Sequence, residues 1–171
     1  MFAICLSIAI TVGIIIFREE LLALRGYGYL GIFLISALGN ATVILPVPSL
    51  AVVFAGGGVF HPLLVGLFAG LGEPLGELTG YLAGYGGGAV IPEGPRFERI
   101  KGFMQRRGFL TLFILSAIPN PVFDLAGLAA GILRYPVSKF LFACWLGKTV
   151  KAVVIACLGS LSYHALIPWI R

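Results

Sequence analysis

Residues 118–133 read IPNPVFDLAGLAAGIL, and residues 45–60 read LPVPSLAVVFAGGGVF. Both stretches place a Pro-x-Pro pair before a run of small, apolar residues. A prolyl pair removes two backbone donors and interrupts a helix, so each stretch predicts a chain reversal between two short helical arms. The residues expected to break the helices are Pro46, Pro48, Pro119 and Pro121.

The composition around these stretches is that of an integral membrane protein. Of the 171 residues, 59% are hydrophobic and 11% are charged, whereas roughly 25% of the residues of a soluble domain are charged. No Lys or Arg occurs between Arg25 and Arg96. This composition excludes soluble and disordered proteins. The 12 basic residues lie in short clusters beside apolar runs, so we expect no nucleic-acid partner.

The apolar runs indicate an internal duplication. Residues 27–60 are too many for one membrane span and too few for two, which favours a hairpin that returns at mid-depth, and an apolar helix follows at 63–85. Residues 109–133 and 137–160 repeat this order. The predicted organisation is an N-terminal transmembrane helix and connector (1–26), a domain over 27–160 made of a first repeat (27–85), a basic amphipathic loop (86–108) and a second repeat (109–160), and a C-terminal tail (161–171).

Two details of this organisation depend on spacing. Aligning the Pro-x-Pro pairs matches Gly58 with Gly131, 73 residues apart, and the separation grows to 75 at Gly72 and Gly147. Residues 1–17 are long enough as a helix to just cross a membrane. A cleaved signal peptide is the alternative, although a basic start and a small-x-small cleavage site are both missing from this stretch.

Basic residues predict the orientation. The loop 86–108 contains the densest basic cluster and is therefore expected in the cytoplasm. One hairpin then enters from outside and one from inside, which predicts an all-α, polytopic helical bundle with two re-entrant hairpins in an inverted-topology repeat. The apolar residues of the loop recur every three to four positions, as in a helix lying on anionic headgroups; a solvated connector is the alternative.

Acidic residues in the first apolar helix are candidate site residues. Glu73 and Glu77 lie four residues apart on one helix face, which Tyr81 continues. A carboxylate inside a spanning segment costs ~2.5 to 3.5 kcal/mol and persists where it faces the bundle interior or water. The alternative is that both glutamates lie near a membrane surface. Glycines spaced by four beside them predict close helix packing, at Gly72, Gly76, Gly80 and Gly84.

The second repeat carries bases where the first carries acids. Lys148 follows Gly147 as Glu73 follows Gly72, and Lys151 lies three residues further on. We expect the glutamates to pair with these lysines, because an isolated buried charge is far more costly than a pair. Lysines that extend to the membrane surface are the alternative.

The second proline pair carries two further polar residues. Asn120 lies between the prolines and Asp124 lies three residues past Pro121, so both are expected on a mid-membrane polar path. Capping of the returning helix is a second role open to Asp124. The cysteines and histidines have no metal-ligand spacing, and no catalytic motif is present in the sequence. We therefore expect no metal, no cofactor and no enzymatic activity.

Two motifs resemble one family. GEPLGELTGYLAGYGG at 72–87 and IPNPVFDLAG at 118–127 are similar to segments of the DedA superfamily, also called the VTT domain or SNARE-associated Golgi protein family, and the second half is most similar to its vacuole membrane protein branch. The resemblance covers roughly residues 27–160. It implies two re-entrant hairpins and movement of lipids across the bilayer, which is phospholipid scrambling in eukaryotes and flipping of undecaprenyl phosphate in bacteria.

The expected function is that of a membrane lipid scramblase or flippase. Bacterial members usually carry an acidic residue in the first hairpin and arginines around the second. This chain has Gly39-Asn40 in the first hairpin and no arginine from Ser116 to Phe123 in the second, which favours passive scrambling. Expected partners are membrane lipids, anionic phospholipid or undecaprenyl phosphate, and a second copy of the chain. The expected location is the cell membrane of a prokaryote or an endomembrane of a eukaryote. A proton- or ion-coupled carrier of a small solute and an assembly factor without transport are the alternatives.

Overall fold

The computed structural model describes residues 25–41, 49–87, 94–119 and 122–170. All regular structure in these ranges is α-helical: α1 (Arg25–Ala41), α2 (Ser49–Val59), α3 (Pro62–Tyr85), α4 (Pro95–Ala117), α5 (Phe123–Ile132) and α6 (Val137–Ile170). The first predicted helix, both prolines of the first pair, Asn120 and Pro121 lie outside the described residues.

Prolines set the helix boundaries. Pro62 starts α3, where its missing N–H costs nothing because the first N–H groups of a helix have no intrahelical partner. Ile118 ends α4 with extended backbone angles, φ −104° and ψ 132°, because the residue before a proline is disfavoured in the helical region. The predicted break between two short arms is confirmed on both sides of the second pair, since α4 ends at Ala117 and α5 begins at Phe123.

The long helices α3 and α6 form the centre of the bundle. Helix α3 stays helical through Pro74. Helix α6 contains a candidate membrane span of 29 residues, Val137–Ala165, and among the described helices it alone is long and apolar enough to cross a membrane. It continues to Ile170, ten residues past the predicted end of the repeat, so most of the predicted tail is helical.

The shorter helices cover the long ones in a reciprocal pattern. Helix α1 packs on α3 and α4 packs on α6, each within its own half of the chain. Helices α2 and α5 cross to the opposite half, since α2 packs mainly on α6 and α5 mainly on α3. Each half is thus held by the long helix of the other half.

Glycine contacts recur at matching positions in the two halves. A Cβ on Gly72 would collide with the carbonyl oxygen of Phe33, and a Cβ on Gly147 would collide with that of Phe113. These contacts equate α1 with the second part of α4. The sequences agree, because GYLGIFLISALGN at 28–40 and GFLTLFILSAIPN at 108–120 are identical at six positions, 28/108, 30/110, 33/113, 36/116, 37/117 and 40/120.

The crossing helices fix the register of α2 against α5. A Cβ on Gly57 would collide with the backbone of Ala156, and one on Gly131 would collide with that of Tyr81. The structure therefore matches Gly131 with Gly57 and not with Gly58, so the alignment made from the proline pairs is wrong by one residue. Gly58 instead lies against the side chain of Tyr163.

The basic segment forms the first part of α4. Helix α4 changes direction at Arg107, whose backbone angles, φ −144° and ψ 56°, are not helical. Before this kink the helix is amphipathic as predicted, but Phe97, Ile100 and Met104 are buried in a core cluster that includes residues of α5 and α6. Phe103, which is 62% exposed, remains on the outer face with the basic side chains. The apolar side of this segment therefore packs mainly on the bundle itself.

The glycines of α3 are not equivalent. The backbone of α1 approaches Gly72 and Gly76, and the backbone of α5 approaches Gly84. A Cβ on Gly80 would have no described atom within 4 Å. Close helix approach thus depends on three of the four glycines that the spacing singles out.

We predict that Gly57→Ala and Gly131→Ala each lower the thermal unfolding temperature in detergent, while Gly80→Ala leaves it unchanged or raises it. The added methyl group meets backbone at the first two sites and costs about 1–3 kcal/mol, whereas alanine in an open helical position is favourable by up to about 1 kcal/mol. Equal unfolding temperatures for all three variants would contradict the close contacts of α2 and α5.

Candidate functional site

Four charged side chains meet between α3 and α6. The ammonium group of Lys148 donates to Glu77 Oε1 at 2.5 Å and lies 3.5 Å from Glu73 Oε2. The ammonium group of Lys151 donates to the same Glu73 oxygen at 2.6 Å. This pairing of two acids from the first half with two bases from the second is the one that the sequence predicts.

The cluster is buried. Glu73 is fully buried, and Lys148 is 4% exposed. Lys148 also donates to Asn40 Oδ1 at 2.8 Å, and Asn40 Nδ2 in turn donates to the carbonyl oxygen of Ser36 at 2.9 Å. Helix α1 is therefore tied to the charged cluster through a polar side chain near its last turn.

The balance of charge explains how such a cluster is tolerated. Two carboxylates face two ammonium groups, so their formal charges cancel. Removing one partner of a buried pair leaves an uncompensated charge and typically costs about 3–5 kcal/mol. Within the described residues, Glu73 Oε1 has no hydrogen-bond partner, so one oxygen of the cluster is free to accept a further hydrogen bond.

A cavity of about 360 Å³ opens beside this cluster. It lies where α1 and the second part of α4 end and where α2 and α5 begin, so both halves of the chain contribute to its wall. The residues that line it are Asn40, Ser49, Leu50, Glu77, Leu115, Ser116, Ile118, Pro119, Phe123, Asp124, Lys148 and Lys151.

The cavity reaches the surface of the molecule. Ile118, Pro119 and Asp124, which belong to its wall, are exposed side chains. The outer surface around the bundle carries many exposed large hydrophobic side chains, including Leu38 and Leu161, as expected where lipid is the neighbour. A polar cavity with an exposed edge in an apolar protein can bring a polar group into contact with fixed charges while its apolar part stays outside.

The predicted site residues separate into three groups. Glu77, Asp124, Lys148 and Lys151 line the cavity, and Glu73 stands behind them as the partner of both lysines. Tyr81 does not reach the cavity: its hydroxyl donates to the carbonyl oxygen of Tyr135 at 2.6 Å. Asn120 lies outside the described residues.

Several lining residues were not among the predicted site residues. Asn40 and Ser49 come from the first half, and Ser116 and Phe123 from the second. The repeat of α1 in the second part of α4 could have found Asn40 and Ser116, because it matches them with Asn120 and Ser36. Ser49 and Phe123 lie outside that repeat. Within the described ranges, no three His, Cys, Asp or Glu side chains come together as a metal site.

Comparison with known proteins identifies the family to which the chain belongs. The family model for the VTT domain matches residues 47–161, more than half of the chain. The chain belongs to the VTT domain family. Together with the apolar composition and the long span in α6, this membership identifies a membrane protein of the DedA and SNARE-associated superfamily.

The curated relatives are vacuole membrane proteins. The chain is 37% identical over 68 residues to the vacuole membrane protein 1 homolog of Dictyostelium discoideum, a match that covers 39% of this chain and 17% of that protein. It is 32% identical over 85 residues to vacuole membrane protein KMS2 of Arabidopsis thaliana, covering 44% and 20%. The matches therefore span about a fifth or less of these relatives. No solved structure matches the chain significantly.

We predict a strong coupling between Glu77 and Lys148. Each of Glu77→Gln and Lys148→Met removes one partner of a buried pair and should destabilise the protein by about 3–5 kcal/mol. The double variant removes both charges of the pair, so neither is left without its closest partner. Its loss of stability should therefore be well below the sum of the two single losses. Unfolding of the purified protein in mixed detergent micelles measures all three; additive losses would contradict direct pairing.

Proposed function

We propose that this protein is a lipid scramblase that moves phospholipid headgroups between the leaflets through its polar cavity. The observation that carries the proposal is the cavity with charged walls and an exposed edge, inside a bundle whose outer surface is apolar. Enzymatic chemistry is not part of the proposal, and the path requires no cofactor.

The proposed membrane arrangement is a pair of re-entrant hairpins related by inverted topology. The first hairpin consists of α1 and α2, and the second of the last part of α4 with α5. Helices α2 and α5 span 11 and 10 residues, and a helix of that length covers only about half of a ~30 Å hydrocarbon core. Reciprocal packing of each hairpin on the long helix of the other half supports the inverted arrangement.

The physical effect of the cavity is to lower the barrier for a charged headgroup. A headgroup that crosses hydrocarbon loses its hydration, which is the main cost of lipid translocation. Fixed polar groups such as Asn40, Ser49 and Asp124 replace part of that hydration, and the acyl chains stay outside the exposed edge. No energy source is needed, because lipid moves down its own gradient.

The proposed partners and location follow from the family. Substrates are membrane phospholipids, with polyprenyl phosphate as the counterpart in a bacterial host, and a second copy of the chain completes the list of partners. The relatives that the chain matches are named vacuole membrane proteins, which supports an endomembrane location in a eukaryotic host; in a prokaryotic host the location is the cell membrane.

A proteoliposome assay tests scrambling. Purified protein is reconstituted with a fluorescent phospholipid, and a membrane-impermeant reductant then quenches the label that is accessible from outside. We expect quenching beyond the outer-leaflet half with the wild-type chain. Ser49→Phe places a bulky ring in the cavity wall and should slow this phase by about ten-fold or more, which corresponds to at least about 1.4 kcal/mol of added barrier.

Leu161→Phe is the matched control, because Leu161 is 67% exposed and remote in sequence from the cavity wall. It should scramble as the wild type does. A plateau at the outer-leaflet half for the wild-type protein would overturn the proposal. Gradient-driven, saturable uptake of a small ion by the same vesicles would then support the coupled-carrier alternative.

A further inference from the structure

The lysines of the cavity wall are already occupied. The three N–H groups of Lys148 face three acceptors, on Glu77, Asn40 and Glu73, at 2.5, 2.8 and 3.5 Å. Lys151 is held by Glu73 at 2.6 Å. A phosphate group entering the cavity would therefore have to compete with carboxylates that contact both bases.

Asp124 gives the wall an excess of negative charge. The two glutamates balance the two lysines, and Asp124 adds a fifth charged group to the same region. Among the described residues, no hydrogen bond or ion pair satisfies its exposed carboxylate. Asp124 also lies in the first turn of α5 without capping it, since no side-chain hydrogen bond closes that helix start. The carboxylate thus has acceptor oxygens available for a ligand.

The aromatic ring of the wall is also occupied. Phe123 lines the cavity, and the ammonium group of Lys148 lies 4.8 Å from the centroid of its ring, a distance at which the ring attracts that cation. Both cations of the described wall are thus paired with carboxylates, whereas Asp124 is a charged group of that wall with no described cation in contact.

We propose that the cavity selects headgroups that carry an ammonium group, such as ethanolamine or choline, over headgroups that are only anionic, with Asp124 as the selecting residue. This inference rests on the proposed scrambling function. It replaces the expectation of anionic phospholipid or polyprenyl phosphate as the preferred substrate, because bases that could attract a phosphate are neutralised by Glu73 and Glu77.

The repeat supplies a direct way to test this role. The matching of Gly57 with Gly131, 74 residues apart, places Leu50 at the position of Asp124 in the other half. Both side chains line the same cavity. A carboxylate can therefore be removed from one half and introduced in the other, while the number of charges in the wall is kept.

The experiment measures scrambling rates of three phospholipids with the same labelled acyl chain and ethanolamine, choline or glycerol headgroups, in vesicles of one host composition. All three contain the phosphodiester, so their comparison isolates the ammonium group. Ethanolamine and choline lipids should move about two- to five-fold faster than the glycerol lipid. Asp124→Asn should bring this ratio to about one, and the double variant Asp124→Asn, Leu50→Asp should restore it.

The double variant Asp124→Asn, Ser138→Asp is the control, since it returns a carboxylate at an exposed position outside the cavity wall, and its ratio should stay at about one. Equal rates for all three lipids with the wild-type chain would overturn the selectivity and leave scrambling intact. A preference that survives Asp124→Asn would overturn the role of Asp124. If none of the lipids moves, the proposed function itself fails.

Discussion

The buried ion pairs between α3 and α6 are the interaction on which the rest of the structure depends. In a membrane, neither helix can expose a carboxylate or an ammonium group to lipid without a large cost. Glu73 and Glu77 on one helix therefore require Lys148 and Lys151 on the other. This requirement fixes the rotation and the relative height of the two long helices, and the other four described helices pack against that pair.

The short helices are held by a different force. Helices α2 and α5 meet the opposite long helix through backbone contacts at glycines such as Gly57 and Gly131. Such contacts gain van der Waals packing, which in lipid replaces the hydrophobic effect as the source of helix association. Because the two halves make nearly the same helix contacts, the cavity lies where they meet. The wall is chemically unequal, because one half contributes Asp124 where the other contributes Leu50.

Part of this structure can be predicted from local spacing in the sequence, and the rest depends on contacts between residues far apart in the chain. The separation of Glu73 from Glu77 puts both on one helix face, and the repeat brings Lys148 opposite them, so the central pairing is predictable. The contact of Asn40 with Lys148 joins residues 108 positions apart and depends on where α1 lies, which no local pattern specifies. Tyr81 continues the acidic face along the helix, but α3 extends past the cavity. The hydroxyl of Tyr81 therefore donates to the carbonyl oxygen of Tyr135, which lies between α5 and α6.

The length of α6 makes the thickness of the host membrane part of the energetics of this protein. The candidate span, Val137–Ala165, has 29 residues and includes Lys139 near its start. It measures about 44 Å as a helix, which is longer than a ~30 Å hydrocarbon core. A helix of that length adapts to the bilayer by tilting or by keeping charged ends such as Lys139 at the membrane surface. Because ion pairs fasten α3 to α6, a change in the inclination of α6 between membranes of different thickness carries α3 with it.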